Sequence, residues 1–284
     1  MSTPSTELSE PRTALVTGAS SGIGLATAKR LLDRGYRVIG TSRKPDSVPD
    51  SARPEGLRFR ALDLRDKDSI DGFVGALYAE DIHVDVLVNN AGESQSGPLE
   101  EIPLSALERV FQINVLGPIH LTQLLLPEMR RNGYGRVVML SSMLASFPLA
   151  YRSSYVASKA ALEGFATAAR FEMSPYGVWL TTVEPGSIKT GISTRRTKYI
   201  ADDSPHSASF RKMLKNLDAN EREGISAERV ARTVVDAIEA KQPASLYAVG
   251  SNASAVFALR RALPRTAVET IVSRTFGISG RAPR

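Results

Sequence analysis

Tyr155, Ser158 and Lys159 lie in the string SSYVASKAALEGF, with the lysine four residues after the tyrosine. On a helix that spacing sets the two side chains one turn apart on the same face. An ammonium beside a phenol favours the phenolate and lowers a pKa that is otherwise about 10. A phenol tuned toward neutrality can act as a general acid or base. The same spacing also fits an exposed Tyr and Lys on an ordinary amphipathic helix, so the motif needs support from elsewhere in the chain.

That support begins near the N-terminus, where TALVTGASSGIGLATAKRLLDRG runs an apolar strand (Ala14 to Val16) into a glycine-rich turn and a helix. Gly18, Gly22 and Gly24 let the backbone turn tightly and approach a ligand without Cβ clashes, with Ser20, Ser21 and Ile23 between them. A helix opening at Gly22 points its amides and positive dipole end at the turn, which suits a pyrophosphate. Strand, glycine turn and helix together follow the logic of dinucleotide binding, here with the spacing GxxxGxG.

The elements that must position these groups alternate. Strand patterns fall at 13–17, 36–41, 57–62, 84–89, 136–141, 178–183 and 245–249, and helical patterns at 22–34, 67–80, 103–130, 153–174 and 226–240. Continuous apolar strands such as VDVLVNN suit a parallel sheet covered on both faces. The expected fold is α/β, a Rossmann-type doubly wound parallel sheet of about seven strands with its ligand crevice at their carboxyl ends. Residues 1–10, rich in Ser, Thr and Pro, are expected to be a disordered tail, residues 11–252 one catalytic domain, and residues 253–284 a C-terminal extension.

Composition narrows the classes. The 284 residues are 42% hydrophobic and 23% charged, as in a soluble globular protein. No cysteine is present, which excludes disulfides, thiol chemistry and thiolate metal sites. His83, His120 and His206 have no metal-ligand spacing, with His83 and His206 expected at the surface and His120 flanking a helix. No Ser-His-Asp order with a GxSxG elbow appears either. The net charge of +6 is spread along the chain with no aromatic-interleaved basic tract, so no nucleic-acid partner is expected. MSTPSTELSEPR has no apolar run and no stretch of 18 apolar residues exists, so a cytoplasmic enzyme is expected.

Taken together, TGASSGIG (Thr17 to Gly24), DL (Asp63, Leu64), NNAG (Asn89 to Gly92), FQINVLG around Asn114, LSS ending at Ser142, YVASK (Tyr155 to Lys159) and PGSIKT (Pro185 to Thr190) resemble the short-chain dehydrogenase/reductase family, in its compact single-domain branch. The motifs come in the family's order over roughly residues 11 to 250. The resemblance implies a nicotinamide-dependent oxidoreductase acting on an alcohol or carbonyl. Tyr155 would exchange the proton and Ser142, thirteen residues earlier, would hold the substrate oxygen. Lys159 would lower the Tyr155 pKa and bind the nicotinamide ribose, and Asn114 would hold a water in the proton relay. It also implies that Asn89 is structural, that Asn90, Ala91 and Gly92 line the ribose, and that Asp63 and Leu64 meet the adenine. Ile188 and Thr190, after the Pro185–Gly186 turn, would meet the carboxamide.

Ser42, Arg43 and Lys44 stand where an NAD enzyme typically carries an acid, and a guanidinium suits a 2′-phosphate, so NADP(H) is expected over NAD(H). Asp46 reaching back, and Ser21 where many NADP-preferring relatives are basic, argue the other way. Met143, Leu144, Phe147 and Leu149 would wall an apolar substrate, steroid-, retinoid- or lipid-like. A polar flap at 191–224 would turn Ile192, Tyr199, Ile200, Phe210, Met213 and Leu214 inward. VFALRRALPRTAVETIVSRTFG reads as two short basic amphipathic helices split at Pro264, more suited to packing on the flap or a partner than to lying on a membrane. The resemblance implies a homodimer or homotetramer through helices 103–130 and 153–174. A sugar-nucleotide epimerase would carry a GxxGxxG turn and a longer C-terminal domain, and a cofactor-sensing protein would be expected to lose Ser142, Tyr155 or Lys159.

Overall fold

Local sequence signals account for most element boundaries. The structure, a computed structural model, describes residues 11–278 except 190 and 192. The first half contains β1 (Thr13–Val16), α1 (Gly22–Asp33), β2 (Arg37–Ser42), β3 (Leu57–Ala61), α2 (Lys67–Ala79), β4 (Val86–Asn89), β5 (Gln95–Ser96), α3 (Leu104–Phe111) and α4 (Gly117–Arg131). It continues with β6 (Gly135–Leu140), α5 (Met143–Ser146), α6 (Ser153–Met173), β7 (Val178–Pro185), β8 (Thr197–Lys198) and α7 (Ser207–Arg222). The chain closes with α8 (Ala227–Glu239), β9 (Leu246–Val249), α9 (Ala253–Ala262) and α10 (Arg265–Thr275). Asp66 caps α2 by accepting from the Asp68 amide, and Ser226 caps α8 by accepting from Arg229.

The main sheet runs β3-β2-β1-β4-β6-β7-β9 and is parallel throughout, as the unbroken apolar strands require. Leu15, Leu87, Val137 and Met139 face α2, α4 and α6, while Val16, Val88, Val138 and Val183 face α1 and α8. The strand order reverses between β1 and β4, so the carboxyl ends of these strands flank the crevice.

The expected helix 103–130 runs without a gap from Leu104 to Arg131, with a π bulge inside it. Between α3 and α4 the backbone widens into a π turn over Gln112–Leu116, which holds Asn114. Its Oδ1 accepts from the Glu93 amide at 2.7 Å, while Nδ2 donates to the Glu93 carbonyl and to Ser158 Oγ, both at 3.0 Å. His120 lies inside α4 rather than beside a helix, its Nε2 2.6 Å from Asp71 Oδ1. Segment 191–224 is more ordered than its polarity suggests: β8 pairs with β5, and α7 buries Phe210, Met213, Leu214 and Leu217 on one face. Ile200 is exposed, contrary to the inward placement expected of it. The helices expected around Pro264 are α9 and α10. Residues 1–10, Thr190 and Ile192 lie outside the described residues.

Candidate active site

A cavity of about 1200 Å³ lies at the carboxyl ends of β1, β2, β4, β6 and β7. At one end, the glycine turn forms its floor. Gly18 and Gly22 adopt φ of +66° and +55°, which a Cβ would strain, and a methyl on Gly18 would come within 3.1 Å of Ala91. Gly24 does not face the cavity. Its missing Cβ would stand 2.4 Å from the Gly18 carbonyl and 2.5 Å from Asn90 Nδ2, so it lets α1 press against the turn. Thr17, which sequence reasoning passed over, locks this arrangement: its Oγ1 accepts from the amides of Asn90 and Ala91 at 2.9 and 3.0 Å. Asn90 is as much a strut as a lining residue, donating from Nδ2 to the Thr17 carbonyl at 2.8 Å. Asn89 ties β4 to α4 through Thr122 Oγ1 at 3.0 Å.

Ser20, Ser21, Ile23, Ser42, Arg43, Asp63, Leu64, Asn90, Ala91, Gly92, Pro185, Gly186 and Ile188 all line the cavity. Ser21 makes no side-chain cap for α1 and instead receives a hydrogen bond at 3.2 Å from Arg195, 174 residues away. Asp63 is gripped by Arg65, whose hydrogen bonds hold its pKa below the usual range with help from Arg43. Open amides at the α1 N-terminus, a glycine floor and the cavity-lining guanidinia of Arg43 and Arg195 fit a phosphorylated dinucleotide.

Further in, Ser142, Tyr155 and Lys159 share one wall. Ser141 donates to the Lys159 carbonyl at 3.0 Å, which ties it to α6, whereas the Ser142 hydroxyl reaches the Tyr155 phenol. Lys159 Nζ donates to the Leu140 carbonyl at 2.7 Å, and burial lowers its pKa to about 8. A methyl on Gly92 would lie 3.1 Å from Asn114 Oδ1 and 3.5 Å from Lys159 Nζ, so this glycine fills the gap between them. Burial raises the Tyr155 pKa, contrary to the expected lowering by Lys159. The strongest opposing influence is Arg152, followed by the Ser142 hydrogen bond. The ammonium is turned onto a backbone carbonyl, 5.9 Å from the ring centroid, which leaves Arg152 the nearer charge.

The far end of the cavity is apolar. Met143, Leu144 and Phe147 line it with Leu217 of α7 and with Val256, Ile271, Val272 and Phe276 from the C-terminal helices. Phe147 meets Phe257 edge to face with centroids 5.1 Å apart. Leu149 does not line the cavity; it packs under α7 with Phe210, Met213, Leu214 and Leu217, which together bury it more fully than the cavity wall could. His206, isolated in sequence, has its Nε2 2.7 Å from Glu100 Oε1 and lies beside Glu101, outside the cavity lining.

The sequence profile described as short chain dehydrogenase matches residues 12–200. The chain belongs to the short-chain dehydrogenase/reductase family. It is an NAD(P)-dependent oxidoreductase. It is 30% identical over 251 residues to the 3-ketodihydrosphingosine reductase of Bacteroides thetaiotaomicron, covering 88% of this chain and 91% of that one. A solved short-chain dehydrogenase from Streptomyces avermitilis is 32% identical, with a TM-score of 0.79 over 94% of this chain and 98% of that one. A metagenomic short-chain oxidoreductase solved in complex with NADP is 29% identical, with a TM-score of 0.66 over 84% of this chain and 96% of that one. Among the described residues no helix is long and apolar enough to cross a membrane.

Proposed function

We propose that this oxidoreductase moves a hydride between NADP(H), preferred over NAD(H), and the carbinol or carbonyl carbon of a large apolar substrate that is steroid-, retinoid- or lipid-like. The observation that carries this reading is the continuity of one cavity, from the glycine turn past Ser142 and Tyr155 to a wall of Phe147, Val256, Val272 and Phe276. A bound nicotinamide supplies or accepts the hydride. Tyr155 gives or takes the proton at the substrate oxygen, and Ser142 holds that oxygen. Charge builds there in the transition state, so two fixed hydroxyls aimed at it stabilise the transition state more than the ground state. Lys159 and Asn114, on either side of Gly92, carry the proton replacement.

Arg43 and Arg195 support the phosphorylated cofactor, since Arg195 brings a guanidinium to Ser21, a position with no cation of its own. The relative that reduces 3-ketodihydrosphingosine supports a substrate with a long apolar part. Segment 191–224 acts as the substrate flap of a catalytic domain over 11–252. Exposed Leu116, Phe165 and Phe171 support self-association through the helices over 103–130 and 153–174, which light scattering would read as a dimer or tetramer. The substrate reading is tested by following cofactor absorbance across steroids, retinoids, long-chain ketones, small ketones, sugars and hydroxy acids. It expects the highest kcat/KM from the large apolar compounds, and it is overturned if sugars, hydroxy acids or small ketones exceed all of them. For the cofactor, Arg43→Asp should move the NADPH-to-NADH ratio of kcat/KM by about tenfold or more toward NADH; an unmoved ratio would remove the assignment.

A further inference from the structure

Arg152 sits at the start of α6 with 3% of its surface exposed, and its guanidinium carbon lies 4.3 Å from the centroid of the Tyr155 ring. One nitrogen, Nη1, donates to Ser94 Oγ at 3.0 Å, the Gln95 carbonyl at 2.8 Å and Ser96 Oγ at 3.0 Å. Nε is buried and has no hydrogen-bond partner among the described residues. Among the described residues no carboxylate lies within salt-bridge distance of it. The neighbouring buried guanidinium, Arg196, takes both nearby acids, pairing with Asp218 at 2.7 Å and with Glu221. A buried cation with no counter-ion is costly, and a buried pair is far less so.

The remaining partner is the tyrosine itself. We propose that Arg152 is a positioning residue for proton transfer, the cation that stabilises the ionised form of Tyr155, a role read from sequence spacing as belonging to Lys159. The proposal rests on Tyr155 being the acid–base group. The charged and polar groups around that phenol are Arg152 and Lys159 on α6, Ser142 ahead of α5, Arg196 beside β8, and Asp218 and Glu221 on α7. Three cations face two carboxylates, and Lys159 is directed at the Leu140 carbonyl. Ionising Tyr155 therefore neutralises the cluster, and the charge it meets first is Arg152. Backbone and hydroxyl acceptors alone would be served by any donor; a guanidinium laid over the ring adds an interaction that strengthens when the ring becomes anionic.

The test is the ultraviolet tyrosinate titration of Tyr155, taken as each protein minus its own Tyr155→Phe counterpart, without substrate. Arg152→Gln keeps hydrogen-bond donors and removes the charge, and should raise the Tyr155 pKa by about one unit or more. Arg152→Lys should recover at least half of that rise. The acid–base limb of the kcat/KM profile should move with it, while NADPH affinity stays within about threefold. An unmoved titration in a Gln variant that still binds NADPH overturns the proposal, as does a Lys variant no better than Gln. Should the Gln variant fail to fold, Arg152→Lys alone decides: a Tyr155 pKa raised by about one unit or more would overturn the proposal, and a smaller rise would support it. Normal turnover by Tyr155→Phe would sink the acid–base reading instead, which separates the two failures.

Discussion

Lys159→Met should make the folded protein more stable while abolishing turnover. The Lys159 ammonium is buried against a single carbonyl, and its pKa falls from 10.5 to about 8. At roughly 1.4 kcal/mol per unit, holding that charge inside the fold costs about 3 kcal/mol at neutral pH. Methionine keeps the stem and removes the charge, leaving the Leu140 carbonyl one partner short for about 1 kcal/mol. The net gain is about 2 kcal/mol, a rise in melting temperature of roughly 3–6 °C for a chain of this size. The sign with pH is fixed by a folded-state pKa that is lower than the unfolded one. Between about 8 and 10.5 the unfolded chain binds a proton that the folded chain has released, so the wild type gains stability as pH rises. The variant lacks that slope. Its advantage should be complete below pH 8 or so and should close toward pH 10.5. Thermal melts without cofactor at both ends of this window measure it. A variant that melts below the wild type at neutral pH, or a gap unchanged across the window, would refute the reasoning and show that the ammonium is compensated in solution.

Tyr155→Phe should retain NADPH binding, read by fluorescence, and lose kcat by about 10²–10⁴-fold, the range removed with a general acid or base. Gly24→Ala places a methyl 2.4 Å from the Gly18 carbonyl, so cofactor affinity and thermal stability should fall together, the latter by about 1–3 kcal/mol. Ending the chain at residue 252 removes the apolar roof while leaving the glycine turn, so NADPH affinity should persist while KM for apolar ketones rises about tenfold or more, and binding of a hydrophobic dye should increase.

Much of the fold was legible because its signals are local. The apolar runs of β1, β4 and β6 have no alternation to confuse them, and their predicted limits fall within two residues of the observed ones. The helix α7 was missed: Phe210, Met213, Leu214 and Leu217 recur at helical spacing, but the polar composition around them argued for a flap. The π turn at Asn114 was not, because it depends on Glu93 and Ser158, which are brought near by the fold. Arg195 at Ser21 is illegible for the same reason. At the site, residue types and order gave Ser142, Tyr155 and Lys159 as neighbours. Spacing alone could not show that Lys159 turns to a carbonyl while Arg152, three residues ahead of Tyr155, lies over the ring.

The pairing of Phe147 with Phe257 has a consequence for how this enzyme can change over generations. The glycine-turn floor of the cavity is built by residues before 190, and the far wall is completed by side chains after 253. A substitution in α9 or α10 can therefore alter which molecules enter without moving a proton donor or a phosphate contact. Selection can retune the clientele of the catalyst by editing α9 and α10 alone.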